Sequence, residues 1–297
     1  MKYKILKYSL ECVVAALIAL TMVACGDKEY TVDTGDSQAQ QQTSARPLVS
    51  DIETINIPNS DVSFEMVLVC AGTFTMGGVD AEGPEHQVTL SHDFYIGQTE
   101  VTQALFRAVM DTSYSEFNYG DNYPADNVSH MDAVEFCRKL TKLTGYRFTL
   151  PTEAQWEYAA QGGHRAPSSR TDYAGSNNIG SVGWYWDNSP HYQTEDPFTH
   201  VTLTIRHTSA VRSKQANNLG VYDMTGNVRE WCSDWYSVLG SEDVTDPEGP
   251  LSSSLGHVYR GGSCNDSAKY CRVAHRESLS SMSKGFDFGF RVVINMQ

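Results

Sequence analysis

The sequence predicts an α+β domain with little long regular secondary structure. Short alternations of apolar and polar residues between Glu65 and Ile96 are typical of strands that bury one face. Two later segments, 103–110 and 131–143, carry apolar residues at helical spacing. Residues 161–211 are rich in Gly, Ser, Asn, Tyr and Trp, which predicts mostly loop. Together these signals predict one domain of mixed class.

The N-terminus has the pattern of an export signal. Three lysines precede an apolar run, Cys12 to Val23, that is too short to cross a bilayer. The run ends in Met22-Val23-Ala24-Cys25, which resembles the lipobox of bacterial lipoproteins. This resemblance implies a signal peptide over residues 1–24 and acylation of Cys25, which would anchor the chain stably. A plain secretory signal is the alternative interpretation.

Residues 25–60 are predicted to be the lipidated cysteine and a flexible polar linker, because Gly26–Pro47 has almost no apolar side chains. The folded domain is predicted over 61–297. The expected location is the outer membrane or cell surface of a Gram-negative bacterium, with a periplasm-facing position as the alternative. Expected partners are the membrane, through the N-terminal lipid, and a protein or glycan ligand. The net charge of −14 argues against nucleic acid.

The first half of the domain is predicted to hold several strands and then a helix. Strands are predicted at 65–69, at 86–90, at 94–96 and, after a tight turn, within 71–77. Thr102 is the predicted N-cap of an amphipathic helix over Gln103–Met110. Its buried face is predicted to carry Leu105, Phe106 and Val109.

A second helix is predicted from Met131 to Leu143 and is expected to end at Gly145. The side chains predicted to face inward are Val134, Phe136, Cys137 and Leu140. We interpret His130 as a histidine at the surface or the edge of the core, with a metal-binding or catalytic role as the alternative.

A third helix is predicted after Pro151, which fixes its entry, and Thr152, which caps it. Trp156 and Tyr158 of this helix are expected to pack onto the core.

The stretch Asn217–Trp235 combines tryptophans, glycines and carboxylates. Its pattern predicts a short strand, a turn at Thr225-Gly226-Asn227 and a second short strand. Buried carboxylates beside tryptophan require compensation of their charge. A hard cation bound by side-chain and backbone oxygens is one solution.

Five motifs together resemble the sulfatase-modifying factor family, which contains the formylglycine-generating enzymes. They are L-P-T-E-A-Q-W-E-Y-A at 150–159, G-V-Y-D-M-T-G-N-V-R-E-W at 220–231, R-G-G-S at 260–263, R-V-A-H-R at 272–276 and G-F-R-V-V at 289–293. The resemblance covers about residues 64–293. It implies the formylglycine-generating-enzyme fold, a relative of the C-type lectin-like architecture.

The resemblance also implies two calcium sites. One would use the side chain of Asn178 and the carbonyl of Ile179. The other would use Asp223, Gly226, Val228 and Glu230, where two side chains and two carbonyls converge around the glycine turn. The alternative is that Asp223 and Glu230 are only hydrogen-bonded turn residues. Many members carry tryptophan before that glutamate, whereas this chain has Arg229.

Catalytic members of the family oxidise a substrate cysteine with O2 and a copper(I) ion held by a C-x4-C pair. In this chain the two corresponding positions hold Asp266 and Ala268. Cys264 and Cys271 lie in the same loop, but with C-x6-C spacing, and they would be catalytic only if the chain is an enzyme. Cys271 is most simply a small buried hydrophobic residue.

Two functions therefore stay open on the sequence. The first is a lipid-anchored, calcium-stabilised envelope protein that binds a ligand or acts as an accessory factor without oxidising cysteine. The second is a copper-dependent formylglycine-generating oxidase with an atypical cysteine pair. No motif of zinc peptidases, P-loop nucleotide binding or serine hydrolases is present in the sequence.

Overall fold

The computed structural model describes residues 48–78, 83–196 and 198–296. The predicted signal peptide, Cys25 and the first part of the predicted linker lie outside the described residues. Within those described ranges, no helix has both the length and the apolar character needed to cross a membrane.

The strands are short. In chain order they are β1 Ile52–Asn56, β2 Ser63–Val69, β3 Gly72–Met76, β4 His86–Leu90, β5 Phe94–Gly97, β6 Phe148–Thr149, β7 His191–Glu195, β8 Thr202–Arg206, β9 Arg229–Trp235, β10 Val244–Thr245, β11 His257–Arg260, β12 Arg276–Leu279, β13 Phe288–Gly289 and β14 Val293–Asn295. The strands predicted near 65–69, 71–77, 86–90 and 94–96 are confirmed as β2 to β5.

The helices are α1 Gln103–Met110, α2 His130–Thr144, α3 Glu153–Ala160 and α4 Ile179–Val182. Thr102 and Thr152 are confirmed as N-caps, since each side chain accepts a hydrogen bond from a backbone N–H three residues later. Gly145 ends α2 in the left-handed conformation, with φ of 82°, as predicted.

The strands form three sheets and one separate hairpin. The five-stranded antiparallel sheet has the order β1-β2-β5-β14-β6, so the last strand of the chain lies beside an early one. The four-stranded sheet has the order β12-β11-β9-β13 and carries the segments that resemble the reactive region of the family. A three-stranded sheet, β10-β4-β3, and the hairpin β7-β8 complete the set in the described residues.

The main core lies between α3 and these sheets. Trp156 of α3 is fully buried and belongs to a cluster with Phe74, Val258 and Val293, which come from three different sheets. Helix α3 thereby ties the sheets together, and its apolar burial is a major stabilising contribution.

Three sequence predictions are wrong in detail. Residues 52–56 lie inside the predicted linker 25–60, yet they pair with β2 and bury Ile55. The polar composition of the whole stretch had hidden the short alternation of β1.

The second error concerns the buried face of α2. Val134 is exposed, because α2 instead buries Ala133, Phe136, Cys137 and Leu140 at spacings of three and four residues.

The third error is the strand predicted before the glycine turn of the stretch Asn217–Trp235. The Asn217 side chain accepts hydrogen bonds from the backbone N–H groups of Leu219 and Val221 and so closes a loop there. The turn itself is confirmed: Gly226 has φ of 75°, and a Cβ at this position would lie 1.9 Å from the Trp184 carbonyl oxygen. The second strand is β9.

Candidate functional site

The loop between β11 and β12 is anchored at both ends by arginines. Arg260 donates to Glu153 over 2.8 Å and also to Glu157. Arg276 donates two hydrogen bonds to Glu153, of 2.7 and 2.6 Å. All four side chains are almost completely buried, so each charge is compensated by its partners. The acidic residues of the α3 motif therefore hold the loop in place.

A tight turn begins this loop. Gly262 has φ of 66°, and a Cβ there would lie 2.6 Å from Cys271 Sγ. Only glycine fits this position, because both the conformation and the space exclude a side chain. The turn brings the two ends of the loop together and places Cys271 against the backbone of Ser263, with Sγ 3.9 Å from the carbonyl oxygen.

The structure brings Cys264 and Cys271 into this loop as free thiols with no solvent exposure. The backbone N–H of Cys264 donates to the Asn227 carbonyl over 2.9 Å. Burial raises the pKa of Cys264 well above its usual value and the pKa of Cys271 to about 12. Both groups are therefore neutral thiols at neutral pH, whereas nucleophilic and metal-binding cysteines are thiolates.

A charged cluster of Arg229, Asp266, Asp287 and Ser263, here the Arg229 cluster, closes the loop. Arg229 donates two hydrogen bonds to Asp266, of 2.9 and 2.6 Å, and one of 2.8 Å to Asp287. Ser263 donates to Asp266 over 2.8 Å. The parallel pairing of β13 with β9 sets this geometry, because Arg229 N–H also donates to the Asp287 carbonyl. A bidentate arginine–carboxylate pair of low exposure is geometrically specific.

The Arg229 cluster joins two of the positions where the chain departs from the family pattern. Asp266 stands where catalytic members have the first copper-binding cysteine, and Arg229 stands where many members have tryptophan. The positive charge of the Arg229 guanidinium is compensated, because the carboxylates of Asp266 and Asp287 both pair with it. The residues present do not fit a two-thiolate copper site of the family type, since one thiolate position is a paired carboxylate and both nearby thiols are enclosed.

The second predicted calcium set lies around a buried arginine. Both Glu230 oxygens accept from Arg291, each over 2.6 Å, and Oε2 also accepts from Trp156 Nε1 over 2.7 Å. Asp223 accepts from the backbone N–H of Arg212 over 2.8 Å. Burial raises the pKa of Asp223 to about 6. The structure therefore brings Asp223 and Glu230 into one electrostatic group, with the glycine turn between them in the chain.

Glu100 belongs to the same group and was missed by sequence reasoning. It is buried at the start of the segment before α1, where it accepts from Asn227 Nδ2 over 2.8 Å and from Val228 N–H over 3.1 Å. Burial, with the nearby charge of Asp223, raises the pKa of Glu100 well above its usual value. Nothing in its local pattern signalled this role, because the contact spans more than a hundred residues.

The first predicted calcium set lies at the start of α4, where Asn178 is exposed and Ile179 is buried. Asn178 Oδ1 accepts from Gly180 N–H over 3.1 Å and caps α4, and the Ile179 carbonyl accepts from Gly183 N–H over 2.8 Å. A calcium ion would share or displace these contacts. Across the described part of the chain, no three or more His, Cys, Asp or Glu side chains are grouped as metal ligands. Calcium binding at both sets stays a prediction.

His130 is the first residue of α2 and is buried. Its ring stacks on His257 with centroids 3.5 Å apart, and His257 in turn lies 3.8 Å from the Trp235 ring. Burial, with a smaller effect of His257, lowers the pKa of His130 to about 3. His130 is therefore a neutral member of an aromatic stack at the edge of the core.

The fold, the anchored loop and the arginine–glutamate network define a scaffold of the formylglycine-generating type. A family model described as "Sulfatase-modifying factor enzyme 1-like domain" matches residues 56–296, and the chain belongs to this family. The chain is 33% identical to "Chaperone protein LppX" of Paenibacillus barcinonensis, over 79% of this chain and 91% of that protein.

The chain is also 36% identical to the formylglycine-generating enzyme of Streptomyces coelicolor, but over 57% of this chain and only 52% of that enzyme. Among solved structures, "Treponema denticola variable protein 1" is similar with a TM-score of 0.71 and 29% identity, over 83% of this chain and 99% of that one. PvdO from Pseudomonas aeruginosa is similar with a TM-score of 0.61 and 26% identity, over 78% and 94%.

Proposed function

We propose that this protein is an exported, lipid-anchored accessory factor that binds another protein and does not oxidise cysteine. The observation that carries the proposal is the Arg229–Asp266 ion pair at the position of the first copper-binding cysteine. An aspartate held by a guanidinium is a poor ligand for copper(I), which prefers thiolates. The scaffold is retained while the reactive position is altered, which is how a fold acquires a binding role.

The two remaining thiols of the loop support the same proposal. A substrate thiol has to reach the copper ion, and side chains with no exposure give it no path. Moving Cys264 and Cys271 to the surface as thiolates would break the backbone hydrogen bond of Cys264 and the packing of Cys271 against Gly262. The oxidase alternative therefore requires rearrangement of an anchored loop.

The relatives support an accessory role in a second way. One relative that spans nearly the same length is named a chaperone protein, whereas the formylglycine-generating enzyme of Streptomyces coelicolor matches over about half of its own length. On this basis we expect the ligand to be a polypeptide. We further propose that calcium at Asp223 and Glu230 stabilises the domain, because three carboxyl groups, those of Asp223, Glu230 and Glu100, surround one buried arginine, Arg291.

The first test is an activity assay. The chain is incubated with copper(I), O2 and a peptide containing C-x-P-x-R, and aldehyde is measured by hydrazide capture and mass spectrometry. The Streptomyces coelicolor enzyme is the positive control. We expect no aldehyde above the copper-only background. Formylglycine produced by the wild-type chain and lost in Cys264→Ser would overturn the proposal in favour of the oxidase.

The second test concerns accessory binding. Light scattering of denatured carbonic anhydrase, diluted with an equimolar amount of the chain, is expected to fall relative to a serum albumin control. Unchanged scattering would count against a general chaperone role.

A third test concerns anchoring. Cys25→Ala is expected to move the protein from the membrane fraction to the soluble exported fraction. Retention of that variant in the membrane would contradict lipidation at Cys25.

A further inference from the structure

A cavity of about 180 Å³ opens between the first residues of α3, the β3–β4 hairpin and the loop that follows β9. Its walls are mostly apolar and include Met76, Ala154, Val238 and Leu239. A closed apolar cavity of about 150 Å³ admits one aromatic ring in another protein. This cavity therefore has room for a small organic molecule with a compact apolar body.

The far wall of the cavity is fastened to the neighbouring sheet. Strand β10 pairs in parallel with β4, and two aspartates on either side of it accept backbone hydrogen bonds from β4 and the residue after it. Gln87 N–H donates to Asp243 over 3.1 Å, and Ser91 N–H donates to Asp246 over 2.8 Å. These contacts fix the end of the loop, residues 243–246, against β4 and the residue after it.

One buried carboxylate in the wall, Asp234, forms no ion pair with any described residue. Asp234 is 5% exposed, and its Oδ2 accepts from Glu153 N–H over 2.9 Å and from Ser233 Oγ over 3.1 Å. Throughout the described ranges, no arginine, lysine or histidine forms an ion pair with it. Glu153, beside it, is paired with two arginines. Burial and the charge of Glu153 raise the pKa of Asp234 to about 7.

We propose that this cavity is a binding site for a small amphipathic amine, with its apolar body against Met76, Ala154 and Leu239 and its protonated nitrogen against the Asp234 carboxylate. An apolar pocket with one charged group that fixes orientation is the usual form of a small-molecule site. The amine compensates a carboxylate that has no counter-charge among the described residues, and burial strengthens that pairing relative to water. The proposal does not depend on the accessory function above.

The test uses the full chain in detergent and two probes of nearly equal size, phenethylamine and phenethyl alcohol. Binding is followed by tryptophan fluorescence, because Trp235 lines the cavity, and by calorimetry at pH 8. We expect the amine to bind at least tenfold more tightly than the alcohol. Asp234→Asn, which keeps an acceptor for Glu153 N–H, is expected to weaken the amine about tenfold and leave the alcohol unchanged. Glu248→Gln, at an exposed acidic residue that does not line the cavity, is the matched control and is expected to change neither probe more than about twofold.

A second measurement needs no variant. Lowering the pH from 8 to 5.5 protonates Asp234, so amine affinity is expected to fall at least tenfold while alcohol affinity stays level. The other titratable groups around Asp234 are Glu153, held by its arginines, Cys232, His257, His86 and Glu242. Equal affinity for the two probes, or an amine affinity independent of both Asp234 and pH, would overturn the proposal.

Discussion

Acidification from pH 7 to pH 5 should destabilise this protein through His130. The imidazole is 6% exposed and is stacked on His257, and its Nε2 has no hydrogen-bond partner in the described structure. Its pKa is lowered from 6.5 to about 3 in the folded chain, mainly by burial. The unfolded chain therefore binds the proton more readily. The stability that His130 contributes is complete above pH 6.5 and is lost as the pH falls toward 3.

The magnitude follows from the two pKa values. At pH 5 the unfolded imidazole is mostly protonated and the folded one is not, which costs about 2 kcal/mol relative to pH 7. This loss of unfolding free energy is set by the His130 pKa in the unfolded chain, because the pKa in the folded chain lies well below pH 5. Carboxylates whose pKa values are raised by burial, such as Asp126 and Asp234, act with the opposite sign and gain stability as they are protonated.

Comparison with His130→Phe separates these effects. Phenylalanine keeps a ring against His257 and Trp231 but cannot titrate. Urea unfolding followed by tryptophan fluorescence at pH 7 and pH 5 is expected to show a loss on acidification that is about 2 kcal/mol larger in the wild-type chain than in the variant. His92→Gln, at an exposed histidine, should behave like wild type. If His130→Phe loses as much stability as wild type between the two pH values, then burial of His130 does not cause the loss.

Three further outcomes are expected. Arg229→Gln leaves Asp266 and Asp287 without their cation and should lower the free energy of unfolding in urea by about 3–5 kcal/mol. Arg138→Gln, which breaks an exposed ion pair, should lower it by under about 1 kcal/mol. Equal losses in the two variants would contradict a stabilising role of the Arg229 cluster. The buried loop thiols should resist iodoacetamide at pH 8 until urea is added, as read by peptide mass spectrometry, and native labelling within minutes would contradict their enclosure. Calcium at 100 times its Kd should stabilise the chain by about 2.7 kcal/mol over EGTA in thermal melting, an effect lost in Asp223→Ala; an unchanged Tm would refute calcium binding.

The local elements were predictable because their signals are local. Thr102 and Thr152 lie directly before apolar helical patterns, and glycines mark the end of α2 and the turn of the stretch Asn217–Trp235. The prediction that Val134 faces inward also came from a local signal and was wrong, since an apolar residue next to a helical stripe can face solvent.

The candidate site was only partly predictable, because its contacts join distant segments. The pairing of Arg229 with Asp287 depends on the parallel register of β13 and β9, and that register has no signature in sequence. Glu100 reaches Asn227 across 127 residues. The arginines of R-G-G-S and R-V-A-H-R were recognised as motif residues, but their common partner Glu153 emerges only from the fold.

The Arg229–Asp266 pair also sets a barrier to evolutionary reversal. Substitution of Asp266 by the cysteine of catalytic members, or of Arg229 by the tryptophan of many members, leaves the other charge enclosed and partly unmatched. The cost is several kcal/mol out of the roughly 5–15 kcal/mol that keeps a typical domain folded. If the two residues changed one at a time, the first substitution on the way back to a thiolate at position 266 would therefore give a destabilised protein. Both codons would have to change almost together, which makes the present state a durable one.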